Sequence, residues 1–326
     1  MKAKSNKKMT FGGCVFCMTF FLSILCLPST GVEAKEVTTL KFAGGSLGSY
    51  QHSYVTVLTE LLRKKLPDLE FAVGPGVSNS NVIAVNQRKV DLGVTLSPSA
   101  FSGYRGETPF KEENKKIREV IALADNPLTI VVWADSGIAK ITDFRGKRLN
   151  VTPRGYTSEF LSRIILKTYG MGYEDLKKAE YVGNPDGILL MKDGHIDGMV
   201  IVAGRYASYV FDLASSKPIR IVPFDPSNIA EIHKQNRGVV ECKLPASMYK
   251  QPSDVLTIAC WFHLIASEDL SESLVYEITK VAVENIKVLN EFSQGTADLT
   301  PELMATDLGI PFHPGALKYF KEKGIR

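Results

Sequence analysis

The chain has 326 residues, 44% hydrophobic and 23% charged, enough to pack one large domain or two modest ones. Its formal net charge of +4 lies mostly in the first 34 residues, without which 35 basic and 34 acidic residues leave +1. No basic patch or tail remains, which removes the electrostatic case for a nucleic-acid partner.

The beginning of the chain reads as an address. Lys2, Lys4, Lys7 and Lys8 precede an apolar run from Cys14 to Leu27, and Val32-Glu33-Ala34 offers a small residue for cleavage. That is the layout of a signal peptide, and the run falls short of the ~20 apolar residues of a membrane span. The expectation is a cleaved signal over 1–34 and an extracytoplasmic, periplasmic protein, with an uncleaved anchor as the alternative. Leu25 is too bulky for a good lipidation box before Cys26. Cys242 and Cys260 remain after cleavage, with room for one disulfide or for two buried thiols.

A pattern then appears twice. Leu40-Lys41-Phe42-Ala43 reads as a strand, Gly44-Gly45-Ser46-Leu47-Gly48-Ser49 as a turn, and Tyr54, Val57, Leu58, Leu61 and Leu62 as one face of a helix ending before Pro67. Strand Glu70–Val73, turn Gly74-Pro75-Gly76, a short helix after Ser78-Asn79-Ser80 and a strand from Val90 follow. The second copy runs from strand 148–151 through Thr152-Pro153-Arg154-Gly155-Tyr156-Thr157 to a helix carrying Phe160, Leu161, Ile164 and Ile165. Glu180–Gly183, a helix opening at Asn184-Pro185-Asp186 and a strand at Ile196-Asp197-Gly198 complete it. Gly48 to Asp91 is 43 residues, and Gly155 to Asp197 is 42.

Two continuous apolar strands, Leu128–Ala134 and Val255–Ala266, are expected to join the copies as hinges. Ser271 opens a long helix through Leu289, and 301–326 is expected to pack back on the first copy. The fold class is therefore α/β: two lobes, each a mixed sheet flanked by helices, with residues 35–128 plus 262–326 as lobe one and 129–261 as lobe two.

Catalytic constellations are missing. There is no Gly-x-Ser-x-Gly elbow, His-Glu-x-x-His helix or Walker loop, and the five histidines are scattered singly. The Gly44–Gly48 spacing does not match a dinucleotide loop, and no acidic residue ends the next strand. No enzyme, metal or organic cofactor is implied. A binding site has a physical basis instead. Glycine-rich strand-to-helix turns bring main-chain N–H groups close to a ligand, and helix N-termini favour carboxylates. The expected contacts are Gly45, Ser46, Ser49 and Tyr50 in one lobe, and Arg154, Gly155, Tyr156 and Thr157 in the other. Asn79, Ser80, Asn81, Ser97 and Gly204 are expected to join them, with Arg154 pairing bidentately with a carboxylate.

These motifs resemble the solute-binding proteins of TAXI-type TRAP transporters. The marks are Gly44-Gly45-Ser46-x-Gly48-Ser49-Tyr50, Val90-Asp91-Leu92-Gly93 before Thr95-Leu96-Ser97, Asp143–Arg148 leading to Arg154-Gly155, Leu270–Asn285, and the ending His313-Pro314-Gly315-Ala316-Leu317-Lys318-Tyr319-Phe320. The resemblance covers nearly all of the chain after residue 34. It implies a type II-like periplasmic binding protein fold, monomeric, that closes on a small anionic or zwitterionic ligand such as glutamate, glutamine or 2-oxoglutarate. It also implies docking on a TRAP membrane permease. A ligand-binding module of a signalling receptor is the alternative. Pro98, Ser78-Asn79-Ser80-Asn81 and Arg154 with Tyr156 depart from the family pattern at positions expected to line the pocket.

Overall fold

The computed structural model describes residues 37–47, 49–292 and 299–326. The expected signal peptide at 1–34 and Gly48 of the first turn lie outside the described residues. Among the described residues no helix is long and apolar enough to cross a membrane.

The first copy is β1 (Thr38–Ala43), α1 (Tyr50–Lys65), β2 (Leu69–Gly74), α2 (Ser78–Asn86), β3 (Leu92–Leu96) and α3 (Ser97–Arg105). Strand β1 pairs in parallel with both β2 and β3. Helix α1 buries Tyr54, Leu58, Leu61 and Leu62 at helical spacing and stops one residue before Leu66-Pro67, where the proline disfavours further helix. The second copy follows β4 (Ile117–Trp133): β5 (Arg148–Asn150), α4 (Thr157–Thr168), β6 (Lys178–Glu180), α5 (Asn184–Lys192) and β7 (Gly198–Val202). Strand β5 again pairs in parallel with both neighbours, β6 and β7. Then come α6 (Ser208–Ser216), β8 (Ile219–Ile221), α7 (Pro226–Gln235), β9 (Val239–Leu244) and β10 (Val255–Ser267). Helices α8 (Glu272–Glu284), α9 (Ile286–Glu291), α10 (Pro301–Met304) and α11 (Pro314–Glu322) finish the chain.

The sheet order β2-β1-β3-β10-β4-β7-β5-β6 places the two copies at opposite ends. Strands β4 and β10 run antiparallel through the middle, from Ile258 opposite Leu128 to Ser267 opposite Ile117. Strand β10 changes its outer partner along its length, and β8 takes over from β10 along one edge of β4 while β7 stays on the other. In β10, residues 262–266 pair with β3 and 255–260 with β9. In β4, residues 128–132 pair with β7 and 131–133 with β8. Strand β4 begins at Ile117, eleven residues before the apolar run that marks it in the sequence. The helix opening at Ser271 also departs from expectation, because it divides at Asn285 into α8 and α9. Cys242 and Cys260 are free and buried, with no disulfide between them.

The conspicuous C-terminal motif is a docking device. The Gly315 N–H donates to His313 Nδ1, so the imidazole caps α11 while its Nε2 N–H donates to the Leu270 carbonyl. A side chain on Gly315 would collide with the Glu272 carbonyl of α8, so glycine allows the two helices to touch.

Between β4 and β10 lie two fully buried titratable groups, Glu119 and His263, with Oε1 and Nδ1 3.7 Å apart. Burial pushes the Glu119 carboxyl well above its ordinary 4.5, and burial pushes His263 down to about 3. His263 is therefore neutral at pH 7, and the same burial favours the protonated form of Glu119. An acid that holds its proton more tightly when folded stabilises fully below about pH 4.5 and loses that contribution as pH rises. His263 acts in the opposite sense, its contribution being lost as pH falls from about 6.5 toward 3. Glu119→Gln keeps the shape without the proton. Its melting temperature relative to wild type is expected to be higher at pH 8 than at pH 5; an equal offset at both would contradict the neutral buried carboxyl.

Candidate functional site

Five helices begin at one cleft of about 690 Å³. From the first copy, the opening turns of α1 and α2 line it through Ser49, Tyr50 and Ser78. From the second copy and its extension, the opening turns of α4, α5 and α6 line it through Thr157, Asn184 and Ser208. Each helix start leaves main-chain N–H groups without intrahelical acceptors and carries about half a positive charge.

The first wall is held by a tight turn and a buried amide. A side chain on Gly45 would stand 2.6 Å from the Ser49 hydroxyl, so the turn requires glycine. The Ser49 hydroxyl accepts from the His52 N–H at 3.2 Å and caps α1. The Asn81 amide nitrogen donates to the carbonyls of Ala43, Gly44 and Val94 at 3.3, 2.9 and 2.8 Å. One side chain thus ties the loop after β1 to the end of β3. Its amide oxygen packs against Gly76, where no side chain would fit.

The second wall repeats the device with opposite polarity. Asn150 is fully buried, and its amide oxygen accepts from the N–H groups of Thr152 and Val182, both at 3.2 Å. It ties the loop before α4 to the loop before α5, while its amide nitrogen has no partner. Thr152 lines the cleft with φ +69, a left-handed conformation that a β-branched residue rarely adopts. Tyr206, also lining, has φ +63. Such strain gathers at functional sites, where the surroundings enforce it.

The walls meet at two points. The Tyr156 hydroxyl lies 3.4 Å from the Ser46 hydroxyl, and the Ser99 and Thr157 hydroxyls share a buried hydrogen bond of 2.8 Å. Gly45, Ser46, Ser49, Tyr50, Asn81, Tyr156, Thr157 and Gly204 of the expected set line the same cleft. The others stand elsewhere. Ser97 is fully buried, donating to the Gly238 carbonyl and accepting from the Trp261 N–H, as a clasp beneath the floor. Ser80 bonds back to Val77 and Asn79 is buried within α2. Gly155 turns the chain with φ +91. Arg154 is exposed, with its guanidinium 5.0 Å from the centre of the Tyr181 ring.

The cation of the cleft is Arg205, which the sequence left unmarked beside Gly204. It forms a forked pair with Asp125 at 2.6–3.0 Å and reaches Cys242 Sγ at 3.5 Å. The hydrogen bonds to Asp125 raise the Arg205 pKa above its ordinary value. Among the described residues lining the cleft there is no carboxylate. Tyr50, Tyr156, Tyr206, Tyr209 and Phe262 add aromatic surface to its lining. The arrangement suits a small solute with an anionic group, held by main-chain amides and hydroxyls. Among the described residues, no group of three or more His, Cys, Asp or Glu could hold a metal ion.

The model of the NMT1-like family matches residues 42–324. Among solved structures, a protein from Listeria monocytogenes described as a candidate L-cystine ABC transporter aligns with a TM-score of 0.52 and 17% identity, over 81% of this chain and 98% of that one. A protein from Xanthomonas citri with bound ATP aligns with a TM-score of 0.53 and 10% identity, over 88% and 96%. One from Bordetella bronchiseptica gives 0.52 and 16%, over 88% and 83%. The fold is thus the α/β periplasmic binding protein fold, a mixed sheet flanked by helices.

The two buried asparagines are expected to respond differently to the same change. Asn81→Asp replaces a donor shared by three carbonyls with an acceptor, and should cost more than about 2 kcal/mol of stability. Asn150→Asp keeps both accepted hydrogen bonds, and should cost less than half as much. Chemical denaturation of both variants measures this; equal losses would contradict the opposed roles.

Proposed function

This chain belongs to the NMT1-like family, and from that premise we propose that it is an extracytoplasmic solute-binding protein that delivers a small carboxylate or amino acid to a membrane permease. The observation that carries the proposal is the convergence of five helix N-termini from both ends of one sheet on a single cleft without lining carboxylates. An anion there gains from aligned dipoles and N–H donors without meeting a negative side chain.

The lobes of this proposal are residues 35–128 with 262–326, and residues 129–261. The hinge lies where β10 passes from β3 to β9 and where β4 passes from β10 to β8. A solute touching Ser46 and Ser49 on one side and Tyr156 and Thr157 on the other makes its full set of contacts only when the lobes are shut. Binding then shifts the population toward the closed form, which the permease recognises. Glutamate, glutamine and 2-oxoglutarate are the ligands suggested by the resemblance to TAXI-type proteins, and a TRAP permease is the partner that it favours. The basic, apolar start of the chain supports export through a signal peptide.

A thermal-shift screen of amino acids and carboxylic acids tests the proposal. A ligand at 100 times its Kd should stabilise the protein by about 2.7 kcal/mol. With that ligand, Arg205→Lys, which breaks the forked pair, is expected to weaken binding at least about tenfold. Arg154→Ala should stay within about twofold of wild type, because its guanidinium rests on Tyr181. A screen without a stabilising solute, or the reverse ranking of the two arginines, would refute the proposal or its placement of the cation, respectively.

A further inference from the structure

The two walls of the cleft already touch, at Ser46–Tyr156 and at Ser99–Thr157, yet they enclose about 690 Å³. At ~30 Å³ per liquid water that is the space of about 23 waters, of which a five-carbon acid fills a small part. Aromatic side chains stand around it. The rings of Tyr50 and Phe262, both lining the cleft, meet edge to face with centroids 6.4 Å apart. The loop between β7 and α6 comes up to this pair, since a Cβ built on Gly204 would stand 4.0 Å from Tyr50 Cε1. The same loop carries Tyr206, which is 43% exposed while lining the cleft. Its φ of +63 strains a bulky side chain, a cost met where function holds the residue in place. Of the nine large hydrophobic side chains exposed among the described residues, Leu47, Tyr156 and Tyr206 belong to this one cleft. Exposed apolar groups gather where a ligand covers them.

The polar groups of the cleft serve one sign of charge. An ammonium taken out of water needs an anionic partner, and leaving it unpaired is costly. Among the described residues lining the cleft none is a carboxylate, and Asp125 is spent on the guanidinium of Arg205. An anionic group meets five helix starts instead, together with Arg205, whose fork to Asp125 uses Nε and Nη2 and leaves Nη1 for a ligand. We propose that the ligand is an aromatic carboxylate without an ammonium group, its ring set between the Tyr50–Phe262 pair and Tyr206 and its carboxylate on the helix starts. This inference rests on the solute-binding function proposed above and narrows its ligand class. A ring in that place gains offset or edge-to-face contact with the lining rings beyond the area it buries. An amino acid with the same ring brings a cation that nothing in the lining matches.

Calorimetry on the whole protein tests this with 3-phenylpropionate and phenylacetate. Each is compared with its ammonium-bearing analogue, phenylalanine or phenylglycine, and with its ringless analogue, propionate or acetate. At least one of the two aromatic acids is expected to bind, at least about tenfold more tightly than either of its analogues. Tyr206→Gly removes one ring while glycine takes the φ of +63 without strain. It is expected to weaken the aromatic acid at least about fivefold with the melting temperature within a few degrees of wild type. Tyr206→Phe, which keeps the ring, is expected to stay within about twofold, a rescue that a purely structural tyrosine hydroxyl would not give. An amino acid or a ringless acid that binds as tightly as its aromatic counterpart, or full affinity in Tyr206→Gly, overturns the inference and leaves solute binding intact. Failure of both aromatic acids overturns the aromatic class, and solute binding falls with it only if the broader screen is also blank.

Discussion

The antiparallel ladder between β4 and β10 is the constraint on which the rest depends. Each strand serves both ends of the sheet, so the parallel units β2-β1-β3 and β6-β5-β7 are built outward from one shared pair. In each parallel unit, the loops at the carboxyl ends of the strands are where ligands of open α/β sheets bind. The shared pair brings those two loop sets face to face. The Thr257 hydroxyl donates to the Leu128 carbonyl across the ladder at the junction, and register shifts follow at Phe262/His263 and Leu264/Ile265. Irregularity of this kind lets a strand bend locally without breaking its ladder.

Electrostatics then decides what such a cleft can hold. Its lining cation is already paired with Asp125, so Arg205 and Asp125 together add little net charge. The positive potential comes chiefly from helix starts, whose effect fades within a turn and is strongest where water is excluded. Two buried asparagines, Asn81 and Asn150, keep those starts in place by joining loops that are distant in sequence. Recognition therefore rests on main-chain geometry fixed from beneath, with the side chains of Ser46 and Tyr156 closing over it.

Much of this was legible in the sequence because it is local. Gly45 and Ser49 mark a turn that only glycine permits and a helix cap, and the duplicated spacing foretold two copies of one unit. What escaped notice is what tertiary contacts decide. Asp125-Asn126-Pro127 has the composition of a turn, yet it continues β4 because Asp125 finds Arg205, 80 residues away. Glu119 likewise disguised the first half of that strand, since a fully buried carboxyl reads in the sequence as a surface charge. Arg154 looked like the anion partner because it follows a strand, but Tyr181 holds it outside the cleft lining. Asn81 was expected to touch a ligand, and its amide nitrogen is taken up by three carbonyls. The split at Asn285 has no proline or glycine to announce it.

Lobe closure is the central claim, and a distance across the cleft tests it most directly. Thr56 on α1 and Leu189 on α5 are exposed, while Cys242 and Cys260 are buried. Spin labels at Thr56→Cys and Leu189→Cys, with Cys14, Cys17 and Cys26 replaced by serine, report the separation of the two walls. The account predicts a broad distribution that becomes shorter and narrower when the bound solute is added. An unchanged distribution at saturating solute would contradict it.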